Sequence, residues 1–176
     1  MKPGMVAHCC AALKRVRVMA STSQWLLLCA LLLISVTSVA QTRVGGAIAV
    51  DTRWSAAASP YLIEADLIIQ NGATLEIEAG TDVHVAAGVA AHVQSGTLKA
   101  IGRRGAPIRV LSAKSLSDAS GAPGDFKPWA FNTGARNVHL EHMVFQHGSG
   151  LEVRGASLRL ENVSVLDNAG AAITAD

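Results

Sequence analysis

The sequence predicts an all-β solenoid, a parallel β-helix, on two observations. The first is an internal repeat. His139–Val153 (HLEHMVFQHGSGLEV) aligns without a gap on Arg159–Ile173 (RLENVSVLDNAGAAI) at an offset of 20 residues. Leu140 falls on Leu160, Glu141 on Glu161, His142 on Asn162 and His147 on Asp167. Self-similarity at so short a period marks an architecture whose units each bury an apolar face on their neighbours. The second observation is alternation. Val138/Leu140, Met143/Phe145, Leu151/Val153, Leu158/Leu160 and Val163/Val165 each bracket one polar or outward residue, and polar or glycine turns separate the pairs. Period-2 alternation in short runs gives three brief strands per coil of about 20 residues.

The chain opens on residues 1–40, which read as a secretory signal. Lys2, Lys14, Arg15 and Arg17 precede the apolar run Trp25–Val39, and Ser38-Val39-Ala40 supplies small side chains for a cut before Gln41. The run is short for a membrane span. An uncleaved segment here is the chain's one expected route to a membrane. All three cysteines, Cys9, Cys10 and Cys29, lie in this leader, so the mature part is neither disulfide-stapled nor a cysteine metal site. The formal charge of +2 also belongs to the leader. With those four basic residues removed, 11 Lys and Arg face 13 Asp and Glu, a net charge of −2. This balance argues against nucleic acid as a partner. The expected location is periplasmic, extracellular or at the cell surface.

Residues 41–60 are rich in glycine and alanine and read as a lead-in or N-terminal cap. Repeats follow over residues 61–176. Leu67–Ile69, Leu75–Ile77 and Val83–Val85 form one coil; Ala91–Val93, Leu98–Ala100 and Ile108–Val110 the next, with Thr74-Leu75 returning as Thr97-Leu98 after 23 residues. Residues 112–128 (SAKSLSDASGAPGDFKP) break the pattern and read as a surface excursion. Trp129–Phe131 re-enters the wall, and two further coils bring the total to four, with a fifth opening at Ala171–Ile173. A solenoid end normally needs a polar cap. The expectation is therefore either a longer parent chain or end-to-end self-association.

The order Tyr61–Lys114 resembles the opening of bacterial secreted right-handed parallel β-helix proteins, the pectin-lyase-like superfamily. A Gly-Ala-Thr-Leu turn, a Gly-Thr, a Gly-Thr-Leu strand and a Pro-Ile strand follow one another as they do there. Gly124-Asp125-Phe126 with Trp129 is similar to that group's Gly-Asp-Trp segment, with Phe126 in place of Trp. The resemblance implies a secreted, right-handed β-helix and is specific for architecture rather than for function. It does not imply one activity, since this fold carries lyases, hydrolases and adhesins alike.

Candidate chemistry follows from stacking, because equivalent positions in successive coils lie about 4.8 Å apart. His147 beside Asp167 would be an imidazole held by a carboxylate, suited to acid–base work or metal orientation. Glu141 over Glu161 would repel unless the pair splays, shares a proton or takes a cation such as Ca²⁺; splaying, screened by Arg154 and Arg159, is the expectation. His142 over Asn162 is expected as an internal ladder at a bend. His139, His142 and His147 have no zinc-motif spacing, and no resident cofactor or metal is expected. Lys99, Arg103, Arg104 and Arg109 cluster in one coil and could meet an acidic polysaccharide.

The lyase Arg-x-Pro-x-x-Arg element is absent from this sequence, as are the Asn-Thr-Asp, Asp-Asp and Gly-His-Gly of polygalacturonase-like hydrolases. The expected function is therefore non-catalytic binding of a glycan or cell-surface partner. The alternatives are the N-terminal piece of a polysaccharide lyase or glycoside hydrolase, and the structural stalk of a larger surface protein.

Overall fold

The computed structural model describes residues 41–117 and 119–176, so the reading of residues 1–40 as a signal lies outside the described residues. Thirteen strands make one sheet that winds through about six turns of a right-handed parallel β-helix. In chain order they are β1 (Thr42–Ile48), β2 (Thr52–Trp54), β3 (Tyr61–Ile69), β4 (Thr74–Ile77) and β5 (Asp82–Val85). Next come β6 (Ala91–Val93), β7 (Thr97–Ile101), β8 (Ile108–Ser112), β9 (Trp129–Phe131) and β10 (Val138–Gln146). The chain closes with β11 (Leu151–Val153), β12 (Leu158–Leu166) and β13 (Ile173–Ala175).

The pairings sort these strands into three walls. The first stacks the ends of β1 and β3 on β6, β9, β11 and β13. The second stacks β2, β4 and β7 with the opening halves of β10 and β12. The third stacks the opening halves of β1 and β3 on β5, β8 and the closing halves of β10 and β12. The 20-residue offset is the physical register: Leu140 pairs with Leu160, Glu141 with Glu161 and Phe145 with Val165. The 23-residue spacing is one too, since Thr74 pairs with Thr97.

Two features differ from the sequence expectation. Residues 42–54, pattern-poor in sequence, form β1 and β2 and pair with β3 and β4 as a further coil, with one shift in register between Val44 and Gly46. Glycine and alanine obscure the alternation there, but the adjoining rungs supply the partners. The strands also run on through corners. β10 and β12 each turn from the second wall to the third without a shift in register, and the turn is made by one residue at positive φ that the pairing skips, His142 (45°) or Asn162 (53°).

Inside the coils, Ile63, Leu75, Val83, Leu98, Val110, Leu140 and Phe145 are essentially inaccessible. The interior is filled. The cavity among Leu67, Leu75, Leu98 and Phe131 measures about 10 Å³, close to the smallest space that holds one water. Any ligand must therefore be met on the outside. All six aromatic residues from Gln41 onward are at most 4% exposed, and Trp54 stacks on Tyr61 at 4.8 Å. Phe126, which stands where the resembling segment has Trp, is fully buried and packs edge-on against Phe145 at 5.3 Å.

Candidate functional site

The three walls are not equally open. The excursion after β8 folds back over the third wall. Its 3₁₀ segment Ala113–Ser117 places the Ser115 hydroxyl 3.1 Å from His84 Nδ1, and His84 is buried although its position faces outward. Burial holds the His84 imidazole below its ordinary pKa, only partly offset by the Ser112 carbonyl and the Asp82 charge. The excursion is clasped by Asp125. Its carboxylate accepts from Lys114 Nζ (2.6 Å), the Ala122 amide (2.9 Å) and Ser112 Oγ (2.7 Å). The lysine and these donors bring Asp125 from 3.8 down to about 2.

The second wall stays open, and its outward rungs carry charge. Arg53, Glu76, Lys99, His139 and Arg159 are successive partners in one column. Shallow grooves run along this wall. One of about 650 Å³ lies between Lys99, Ile101, His139 and Arg159. Another of about 470 Å³ lies between Arg53, Glu78, Ile101 and Arg103.

The basic cluster expected from sequence divides between walls. Lys99 and Arg103 line the second-wall grooves, and Arg104 is exposed in the neighbouring turn. Arg109 faces out of the third wall, where both its Nε and Nη2 reach Asp82 at 2.6 Å. The reason is the corner at Gly102. A residue with a side chain there would meet the His142 carbonyl, and the chain turns through it from β7 to β8.

His147 and Asp167 do occupy equivalent corners, with φ of 70° and 47°. Their side chains do not pair: Asp167 accepts instead from Gln146 Nε2 at 2.8 Å, and His147 Nδ1 is buried without a hydrogen-bond partner. His, Asn and Asp are the side-chain types that best tolerate left-handed backbone, so the corner itself accounts for both residues. The expected internal ladder at His142 and Asn162 does not form. Asn162 is exposed, and His142 Nε2 points to Glu141 Oε1 at 3.9 Å.

Glu141 and Glu161 stack as expected, yet they converge on one group rather than splaying. His139 Nε2 lies 3.6 Å from Glu141 Oε2 and 3.7 Å from Glu161 Oε1. Arg159 pairs with Glu161, whereas Arg154 turns to Glu152 at 2.7 Å. Sequence reasoning missed this cluster, although its signal was present. His139 and Glu141 are two apart on one strand, hence on one face, and the 20-residue register adds Glu161. No known protein family, curated protein or solved structure matches this chain.

Proposed function

We propose that this chain is a non-catalytic binding module that presents its second wall to an anionic glycan outside the cell. The single observation that carries the reading is the open charged column on that wall, with Lys99 and Arg103 at the grooves and no carboxylate paired to either among the described residues. The buried aromatics support an anionic ligand over a neutral one, because no exposed ring among the described residues offers a sugar a stacking face. The order of turns and strands supports placing the chain with the pectin-lyase-like superfamily. Export by residues 1–40 is part of the same proposal, as is end-to-end contact between copies.

Binding to an immobilised uronate polymer tests it. Retention should fall with added salt, as expected for exposed charge contacts. Lys99→Glu should abolish retention, while Lys127→Glu, exposed in the excursion, should leave it intact. Equal loss in both variants, or retention of a neutral glucan alone, would overturn the reading. The same polymer should yield neither unsaturated products nor new reducing ends. Turnover abolished by His147→Ala or Asp167→Ala would establish an enzyme instead.

A further inference from the structure

We infer that His139, Glu141 and Glu161 form a binding site for a divalent cation of the zinc type, independent of any glycan on the wall. Each residue offers one donor atom, and the three atoms lie within 4.8 Å of one another. The separations of 3.6 and 3.7 Å from His139 Nε2 to the two carboxylates are too long for hydrogen bonds. They are close to the edge of a coordination tetrahedron, about 3.4 Å when each ligand sits about 2.1 Å from the ion. His139 Nε2 is shielded from solvent and has no hydrogen-bond partner, a state that buried polar atoms rarely keep without an ion or water.

The donor set selects the metal. One imidazole and two carboxylates suit zinc, whereas calcium asks for six to eight oxygens at longer range. Three protein ligands would leave one position open toward the groove, with His142 Nε2 near enough to Glu141 to orient it. The fold explains the preorganisation. His139 and Glu141 project from the same face of β10, and the next rung brings Glu161 over Glu141. Ile101, the rung before Glu141, gives the cluster an apolar floor. Two cations oppose the ion: Arg159 on Glu161, and Lys99 on the rung before His139.

The test is titration of the full chain, carrying Cys9→Ser, Cys10→Ser and Cys29→Ser so that leader thiolates do not compete, with Zn²⁺ followed by calorimetry and Co²⁺ followed by its visible absorption. One equivalent should bind. His139→Ala and Glu141→Gln should each weaken binding by about tenfold or more. Arg159→Ala should bind equally or more tightly, because it releases Glu161, an outcome no purely structural ion pair predicts. These side chains are partly exposed, and thermal melts of each variant report retention of the fold. Affinity unchanged in His139→Ala, absence of a saturable equivalent, or Ca²⁺ bound in preference to Zn²⁺ would overturn the assignment.

Discussion

At the residue scale, backbone geometry decides more identities than chemistry does. His142, Asn162, His147 and Asp167 all stand at corners with positive φ. A β-carbon in that region costs about 1–2 kcal/mol for an ordinary residue. Asn162→Ala should therefore destabilise the chain by about 1 kcal/mol, and Asn162→Gly should be close to neutral, as denaturant melts would show. Two titrations belong to this scale. His84 has a lowered pKa, so the unfolded chain takes up a proton first as pH falls. Its contribution to stability is complete above the ordinary histidine value near 6.5 and declines below it. Melts at pH 7.5 and 5.5 should differ less for His84→Gln than for the parent. Asp125 is also lowered, so its contribution is present above 3.8 and is lost as pH falls toward about 2. Asp125→Asn should remove that acid-sensitive part and loosen the clasp over His84, seen as faster amide exchange in residues 113–117.

At the element scale, register is the controlling quantity, because a one-residue slip in a period-2 strand exchanges its faces. Leu140 is fully buried, whereas its partner Leu160 is only partly so. The sharper test therefore sits on β10. Leu140→Asp should bury an unpaired carboxylate and cost several kcal/mol, enough to unfold much of a small domain. Ser164→Asp, outward on the exposed side of β12, should change stability by about 0.5 kcal/mol or less. Denaturant melts giving the reverse order would show that the strands are one residue out of register.

At the scale of the whole molecule, each coil is supported only by its neighbours, so stability is a sum of nearest-neighbour terms. Phe145 and Leu140 in the fourth wall-to-wall circuit are sealed, while Val165 and Leu160 one rung later are only partly covered. Amide exchange should therefore be slowest in β4, β5, β7 and β8 and fastest in β12 and β13. Uniform protection along the axis would contradict nearest-neighbour stabilisation.

The sequence by itself determined the parallel β-helix, its rung register and most strand positions. Alternation and a fixed offset are one-dimensional records of which side chains face inward and which stack. It also held the Glu141–Glu161 contact, because that contact is a register statement. Only the tertiary structure decided where the side chains went afterwards. The Glu pair converged on His139, Arg109 turned to Asp82, and Gln146 took the Asp167 carboxylate. It also decided which wall stayed open, since the excursion covers His84 on the third wall and leaves the column from Arg53 to Arg159 uncovered. The physical reason is that apolar burial is periodic along the chain, whereas the choice among polar partners within a few ångströms depends on corners, loops and rotamers that no period encodes.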